Sequence, residues 1–360
     1  MSRLSEDIAL GLTEAGSSVI VLALDDNAYQ NKEIYKFPIF RIKGLMPKKI
    51  FTHYIHSLAV IIMHAMYLAI KFRPEVILVN SWTIPGISAY ILTRVFRLPY
   101  FVLVHGQELL NSAKSQRVSF LMRRVLGNSR KVIAISDFTR KLMQETVPSA
   151  RWVILNPTID IDKFTLKFKE NPKVIPGKTI LLTVARLAPH KGHEQVILAL
   201  KELLPLYPEL IYRIVGDGER RGYLENLVNT SGLSGKVIFE GDVKQQDLLF
   251  FYDSCNIFIM CSRYMPEDNQ VEGFGIVFLE AGAFNKPVIA GNSGGIPDAV
   301  IDQETGILVD PEDISQIAQS IKRLISDPDF ARRLADNGRR RAVELSRKNF
   351  SIRLKDILKV

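Results

Sequence analysis

One stretch of the sequence decides the fold class: Thr179-Ile180-Leu181-Leu182-Thr183-Val184-Ala185-Arg186-Leu187-Ala188-Pro189-His190-Lys191-Gly192. It begins as a short run of apolar and β-branched residues, continues as a loop with two cations, and leads into a helical pattern at Gly192. A buried strand followed by a loop and a helix is the unit from which parallel sheets are built. The stretch therefore predicts an α/β domain with a parallel sheet.

The same alternation of short strands and longer helices runs along the whole chain. Strand patterns occupy residues 18–24, 38–42, 75–80, 99–104, 131–135 and 151–155 in the first half, and 179–185, 211–215, 236–240, 256–261, 287–290 and 306–309 in the second. A linker rich in proline and charge interrupts the alternation at residues 156–178. Because 360 residues exceed the usual size of a single core, we expect two Rossmann-like domains.

The net charge of +9 is concentrated in the first half of the chain. Residues 1–175 hold 24 Lys and Arg against 13 Asp and Glu, whereas residues 176–360 hold 23 against 25. A basic half suggests an anionic partner, either a membrane surface or a nucleic acid, although an ordinary basic surface would give the same count. Nucleic acid has little support, because the sequence contains no recognisable basic and aromatic platform.

Two further features bear on location. The apolar segment 54–70 is shorter than the roughly 20 residues needed to span a bilayer, so we expect a buried or interfacial helix. Cys255 and Cys261 lie about 20 Å apart in one strand pattern, at roughly 3.3 Å per residue, which excludes a disulfide between them. With no secretory signal in the sequence, we expect a reducing cytoplasm.

Three segments at strand ends carry residues suited to an anionic ligand. Arg186 and Lys191 supply two cations for a diphosphate. Gly216 lies in a Gly-Asp-Gly turn, where the backbone can approach a ligand closely, and Val243 follows the next strand pattern, where it can form the wall of a base pocket. Each signal alone is weak, because surface cations and ordinary tight turns produce the same patterns.

A fourth segment is more specific: Val271-Glu272-Gly273-Phe274-Gly275-Ile276-Val277-Phe278-Leu279-Glu280-Ala281. A helix is predicted to begin near Gly275, so the amides at its start point outward and form an anion site. Glu280 lies in the second turn, where a carboxylate can accept hydrogen bonds from vicinal hydroxyls. In the first half, His105 ends a strand pattern and is a candidate ligand contact, although a lone histidine there is more often structural.

Taken together and in this order, these residues resemble the retaining glycosyltransferases of family 4 (group 1), whose paired-glutamate motif is similar to Val271–Ala281. The resemblance covers the chain from residue 3 onward and is densest over 179–312. It implies the α/β GT-B fold, in which two Rossmann-like domains face each other across a cleft. Residues 1–170 would form the acceptor domain, joined by a C-terminal helix at about 347–360, and residues 171–346 would bind the nucleotide-sugar donor.

The resemblance also implies a role for each candidate residue. Arg186 and Lys191 would hold the donor diphosphate, Glu272 the hydroxyls of the transferred sugar, and Glu280 those of the ribose. The residues assigned to catalysis are Arg186, Lys191, Glu272 and His105, and those assigned to donor binding are Glu280, Gly273, Phe274, Gly275, Ile276, Val243 and Gly216. No metal ion or cofactor is expected, because no Asp-x-Asp pair accompanies the site.

The function implied is transfer of a hexose from a UDP- or GDP-linked sugar to a lipid-linked or saccharide acceptor, with retention, in cell-envelope polysaccharide or glycolipid synthesis. The enzyme would be cytoplasmic, or peripheral on the inner face of the plasma membrane. Ala185 replaces a family glycine, and the family's opening strand and Gly-Gly loop have no counterpart before the helical pattern at 3–15. We therefore expect the first sheet to lack its first strand. A catalytically impaired sugar-nucleotide-binding homologue and a nucleotide-sugar epimerase of the same architecture are the alternatives.

Overall fold

A computed structural model describes residues 3–24, 35–42, 51–113, 115–164 and 171–359. The chain divides into two compact units. The first comprises Met1–Thr158 and Arg347–Val360, and the second comprises Ile159–Ser346. The sequence pattern placed the boundary twelve residues later, between residues 170 and 171.

The first unit consists of short parallel strands and surrounding helices. Its helices are α1 (Arg3–Glu14), α2 (Phe51–Phe72), α3 (Ile84–Phe96), α4 (Gln107–Ala113), α5 (Gln116–Gly127) and α6 (Asp137–Gln144). Its strands are β1 (Val21–Leu24), β2 (Ile39–Ile42), β3 (Ile77–Val79), β4 (Tyr100–Val104), β5 (Lys131–Ala134) and β6 (Trp152–Ile154). The five residues of β4 are all buried, as expected for a central strand covered on both faces.

The strands of the first unit form two sheets. One has four parallel strands in the order β3-β4-β5-β6, and the other pairs β1 with β2 in parallel. The sequence predicts one Rossmann-like sheet here, without its first strand. The difference arises because, within the described ranges, no strand pairs with both β1 and β3.

The second unit is built on one parallel sheet of six strands. These are β7 (Thr179–Val184), β8 (Leu210–Val215), β9 (Val237–Gly241), β10 (Ile257–Met260), β11 (Val288–Gly291) and β12 (Ile307–Val309). They lie in the order β12-β11-β10-β7-β8-β9, which is the doubly wound order of a Rossmann-like domain. The topological switch point therefore falls between β7 and β10.

Seven helices accompany this sheet within the described residues. They are α7 (His193–Leu203), α8 (Arg221–Thr230), α9 (Gln245–Ser254), α10 (Ile276–Ala283), α11 (Ile296–Ala299), α12 (Ile314–Ser326) and α13 (Pro328–Glu344). Short 3-10 helices occupy Ile161–Phe164 and Pro189–Lys191. The core between sheet and helices is aliphatic, with Leu181, Ile197 and Ile321 all fully buried. Burial of such side chains is the main favourable term in folding.

Residues 159–164 belong to the second unit because of what they contact. Ile159 forms a parallel bridge with Ser346, and Phe164 is 2% exposed. The ring of Phe164 lies 6.3 Å from that of Tyr252 and 6.2 Å from that of Phe284, both in edge-on contacts. The proline-rich linker pattern does not show that the ring of Phe164 packs against the second unit. The predicted boundary between the units therefore fell later in the chain than the observed one.

The last helix, α14 (Arg347–Leu358), packs in the first unit against α1. Arg347 lies 3.7 Å from Asp7 and 3.3 Å from Glu14, and Lys355 donates to the backbone of Ala15. Gly11 permits the close approach, because a Cβ at that position would lie 1.9 Å from Oγ of Ser351. The two ends of the sequence therefore meet in one unit.

The apolar segment at residues 54–70 lies within α2, which is 22 residues long. No helix in the part of the chain that the structure describes is both long and apolar enough to cross a membrane.

Candidate functional site

The switch point of the second unit collects the motifs that the sequence singled out. Arg186 and Lys191 follow β7, and Glu272 follows the neighbouring strand β10. Because the two strands are adjacent and parallel, their carboxyl ends open at the same edge of the sheet. The connections that follow two such strands diverge at a switch point, and their loops leave a crevice between them. Open α/β sheets bind their ligands in this crevice.

The loop after β7 packs tightly on the end of β10. Gly192 has a φ of 72°, and a Cβ there would lie 2.0 Å from the carbonyl oxygen of Cys261. In the same contact the backbone N–H of Arg263 donates to the carbonyl of His190 at 2.9 Å. Only glycine fits at position 192, and its presence holds the cationic loop against β10.

Lys191 and Glu272 form an ion pair. Nζ of Lys191 lies 2.6 Å from Oε2 of Glu272, and their side chains are 17% and 18% exposed. Beside this pair, Nδ1 of His190 donates to Oε1 of Gln270. Burial, and then the charge of Lys191, lower the pKa of His190. The loop after β7 and the loop before α10 are thus joined by two adjacent side-chain contacts.

The start of α10 presents unpaired backbone amides. Gly275 is the N-cap residue with a φ of 91°, and the helix begins at Ile276 rather than at the glycine. Within the described residues, the amides at positions 273–276 have no hydrogen-bond acceptor. The N–H of Gly295 donates to the carbonyl of Glu272 at 2.8 Å and fixes the loop. A helix N-terminus with unpaired N–H groups favours an anion.

Glu280 is almost completely buried, at 2% exposure. Its Oε2 accepts a hydrogen bond of 2.6 Å from the hydroxyl of Tyr252 on α9. The ring of Tyr252 is held in turn by Phe258, Phe284 and Phe164. Sequence reasoning missed Tyr252, because it lies 28 residues before Glu280 in an ordinary helix and belongs to no motif.

Backbone hydrogen bonds join the other strand-end loops into one layer. Gly216, with a φ of 130°, donates to the carbonyl of Gly241, and a Cβ at Gly216 would lie 2.1 Å from the carbonyl of Ala185. Leu187 donates to the carbonyl of Asp217 at 2.9 Å. Val243 follows β9 in this layer and is half-buried. The structure therefore brings together the three weaker motifs of the second half.

Arg186 is exposed, and the buried His193 contacts its backbone. Nε2 of His193 donates to the carbonyl of Arg186 at 3.2 Å, while Nδ1 faces the Tyr212 hydroxyl at 3.3 Å. Tyr212 donates to Thr183 at 2.8 Å. His193 is 3% exposed, and burial lowers its pKa to about 4. Sequence reasoning missed it, because a histidine at a helix start carries no signal of burial.

Two family models match the chain and together span most of it. The model of the group 1 glycosyl transferases matches residues 165–341, and the model of glycosyltransferase family 4 matches residues 1–163. The chain belongs to the family 4, group 1 glycosyltransferases.

Solved structures show the GT-B fold of this family 4 glycosyltransferase. Sucrose-phosphate synthase from Thermosynechococcus elongatus is 22% identical, with a TM-score of 0.81 over 98% of this chain and 91% of that chain. Anabaena Alr3699/HepE in complex with UDP is 20% identical, with a TM-score of 0.80 over 99% of this chain and 94% of that chain.

Curated relatives of this family 4 glycosyltransferase include two GDP-mannose-dependent alpha-(1-6)-phosphatidylinositol monomannoside mannosyltransferases. The protein from Mycolicibacterium smegmatis is 31% identical over 229 residues, which are 62% of this chain and 60% of the relative. The protein from Mycobacterium tuberculosis is 31% identical over 246 residues, which are 65% of this chain and 62% of the relative. The match thus spans about three fifths of each relative's length.

His105, the remaining predicted site residue of this glycosyltransferase, lies in the first unit at the end of β4. Its backbone N–H donates to Oε1 of Glu108 at 2.6 Å, and Gly106 beside it has a φ of 107°. These contacts fix the turn between β4 and α4. The role of the imidazole stays a prediction.

Stability of this glycosyltransferase should fall in acid because of His193. Its pKa is 6.5 in the unfolded chain and about 4 when folded, so the unfolded state takes up the proton first as the pH falls. The contribution of His193 to the free energy of unfolding is therefore fully present above pH 6.5. As the pH falls from 6.5 to about 4, the protein loses about 3 kcal/mol of this contribution. Chemical denaturation across this range should show a shallower loss for His193→Gln than for the exposed-site variant His64→Gln; equal pH slopes would contradict the assignment.

Proposed function

We propose that this protein transfers a hexose from a nucleoside-diphosphate sugar to a lipid-linked or saccharide acceptor, with retention of the anomeric configuration. The observation that carries the proposal is the Lys191–Glu272 pair beside the unpaired amides of 273–276 at the switch point of the second unit. An acceptor for sugar hydroxyls and a cation for phosphate lie 2.6 Å apart. In a nucleoside-diphosphate sugar, the hexose and the phosphate that these two side chains would contact are also adjacent.

The proposed chemistry follows from charge. The bond between the anomeric carbon and the phosphate oxygen breaks, the acceptor oxygen bonds to that carbon, and the departing phosphate takes the acceptor's proton. Negative charge develops on the diphosphate, where Lys191, Arg186 and the amides at the start of α10 can stabilise it. Glu272 accepts hydrogen bonds from the sugar hydroxyls. This scheme needs neither a divalent cation nor a cofactor.

The nucleoside is assigned to the remaining donor residues. Glu280 would accept from the ribose hydroxyls, with Tyr252 holding its Oε2 at 2.6 Å. Gly216 and Val243 would lie along the base, because both belong to the layer of loops after β8 and β9. His105 is proposed as a further contact of the transferred sugar. Retention fits these assignments, because both glutamates are occupied with hydroxyls and neither is left as an acid or a base of the hydrolytic kind.

GDP- and UDP-linked hexoses are the proposed donors. Two relatives are described as GDP-mannose-dependent mannosyltransferases, and one structure of the same fold is described as a complex with UDP. The named acceptor of those relatives is a phosphatidylinositol monomannoside, which supports a lipid-linked acceptor and a role in cell-envelope glycolipid or polysaccharide synthesis. We place the enzyme peripherally on the inner face of the plasma membrane, since residues 1–175 carry 24 basic and 13 acidic residues.

Glu272→Ala tests the site. Nucleotide release should be measured with a donor panel that includes GDP-mannose and UDP-glucose, together with a lipid-linked or saccharide acceptor. The variant should lose about 100-fold or more in kcat/KM, because hydrogen bonds made in the transition state are removed. Glu344→Ala, which removes an ion-paired glutamate of the same unit, should retain activity.

Other outcomes would overturn the proposal. Unchanged transfer by Glu272→Ala would remove the site assignment. Donor binding without turnover by the wild type would indicate an impaired homologue, and an altered sugar formed without any acceptor would indicate an epimerase.

A further inference from the structure

Helix α5 of the first unit exposes apolar side chains between arginines. Ser119, Met122, Val125 and Leu126 are its buried residues and form its inner face. The opposite face carries Arg117, Phe120, Leu121 and Arg124, spaced three and four residues apart and all exposed. We call these four residues the α5 stripe. Phe120 is 61% exposed and Leu121 is 39% exposed, so the stripe presents apolar surface to the solvent.

The arginines frame the apolar residues. The guanidinium of Arg124 lies 5.2 Å from the ring centroid of Phe120, so charge and aromatic surface share one patch. Val118, 40% exposed, extends the apolar surface on one side. A helix whose outer face combines aromatic and aliphatic residues with arginine is typical of one that lies in a membrane interface.

The stretch of sequence that contains the stripe is strongly basic. Residues 76–136 contain eight Lys and Arg and one acidic residue, Glu108. That carboxylate accepts a hydrogen bond from the backbone of His105. The C-terminal end of α3 adjoins α5, since Arg94 contacts Asn128 at 3.4 Å, and it adds Val95, which is 57% exposed. The charge of this stretch favours an anionic partner.

We propose that the α5 stripe is the surface by which this protein binds an anionic lipid bilayer, with Phe120 and Leu121 inserted among the headgroups and Arg117 and Arg124 paired with lipid phosphates. Long arginine side chains can reach phosphate while their stems lie along apolar surface. This inference specifies the membrane contact of the proposed function and rests on it for the location of the acceptor.

Other partners fit this surface less well. A second copy of the chain related by a two-fold axis would place one basic stripe against another, which is repulsive. Nucleic acid would use the arginines and could stack on Phe120, but the aliphatic residues Leu121 and Val118 would remain in water. An anionic bilayer covers the apolar side chains and also neutralises the charge.

The test measures co-sedimentation of the full chain with vesicles. Vesicles of phosphatidylglycerol and phosphatidylcholine in equal parts should bind the wild type, and vesicles of phosphatidylcholine alone should bind it weakly. Arg117→Gln/Arg124→Gln and Phe120→Ser/Leu121→Ser should each lower the partition coefficient by about tenfold or more. Binding of the wild type should also weaken as salt rises from about 0.05 M to about 0.5 M.

Matched controls come from the exposed surface of the second unit. Arg339→Gln/Arg340→Gln removes two exposed arginines of α13, and Leu206→Ser removes a leucine that is 66% exposed; both should bind vesicles within twofold of wild type. Stripe variants that bind as well as wild type, or control variants that lose as much, would overturn the inference. Binding to single-stranded RNA that competes with vesicles and depends on the stripe would assign it to nucleic acid instead.

A second readout separates this inference from the proposed function. Binding of GDP and UDP should be unchanged in the stripe variants, since α5 belongs to the other unit from the candidate donor site. Loss of vesicle binding with intact nucleotide binding supports the membrane surface alone. Failure of the wild type to bind either nucleotide, with vesicle binding retained, would overturn the proposed function and leave the surface standing.

Discussion

Replacing Lys191 by alanine should lower kcat/KM for sugar transfer by about 100- to 1,000-fold, the loss found when one preorganised donor is removed from a developing negative charge. Lys191 is 17% exposed; it follows β7 in the chain, and its ammonium group pairs with Glu272, which precedes α10. Since its charge matters most when the diphosphate departs, kcat should fall more than the donor KM rises.

A matched lysine provides the control for this experiment. Nζ of Lys286, also in the second unit, donates to the backbone carbonyl of Asp253 at 2.7 Å. Lys286→Ala removes the same charge and a comparable hydrogen bond away from the site, so it should leave kcat/KM within a few-fold of wild type. Equal losses in both variants would show that the effect comes from net charge or stability, and a near-normal rate for Lys191→Ala would remove this residue from catalysis.

Replacing Gly192 by alanine should destabilise the second unit by more than about 3 kcal/mol, a loss reserved for clashes and strain that cannot relax. The left-handed backbone alone accounts for roughly 1–2 kcal/mol of this. The rest comes from the new Cβ, which would lie 2.0 Å from the carbonyl oxygen of Cys261. This oxygen belongs to the backbone at the end of β10, so relief requires the strand end or the cationic loop to move.

Gly177 separates the two contributions. It has a φ of 70°, close to the 72° of Gly192, but a Cβ there would meet nothing within 4 Å. Gly177→Ala should therefore cost only the backbone strain, roughly 1–2 kcal/mol. Chemical denaturation of the two variants measures the difference, and equal losses would show that the contact with Cys261 is not rigid. Gly192→Ala should also reduce transfer, because Lys191 is its neighbour in the chain.

The strands were the most predictable part of the fold. Parallel strands such as β7 and β8 are buried on both faces, so each appears in the sequence as a short, nearly continuous apolar run. Such runs do not indicate which strands pair with each other, because all the runs are similarly apolar. The sequence therefore predicted one sheet in the first unit, where the described residues form two.

The residues of the candidate site also differ in how well the sequence predicted them. Residues in loops at strand ends, such as Lys191 and Glu272, stand out because charge and glycine there interrupt an apolar pattern. Tyr252 and His193 do not stand out, since each lies in an ordinary helix and acquires its partner only through packing. The family resemblance assigned Lys191 to phosphate and Glu272 to sugar, and it did not indicate that the two residues would pair with each other.

By itself the sequence determined the class of the protein: the alternation of strands and helices, the switch-point cations, and the paired-glutamate segment 271–281 that places the chain in its family. Those features are local, because hydrophobic periodicity and backbone freedom at glycine depend on neighbours in the chain. Only the tertiary structure decided that Lys191 meets Glu272, that Tyr252 holds Glu280, and that Phe120 and Leu121 remain outside the core. Each of these contacts joins or separates residues on different elements, and their distances are set by how helices pack on the sheet.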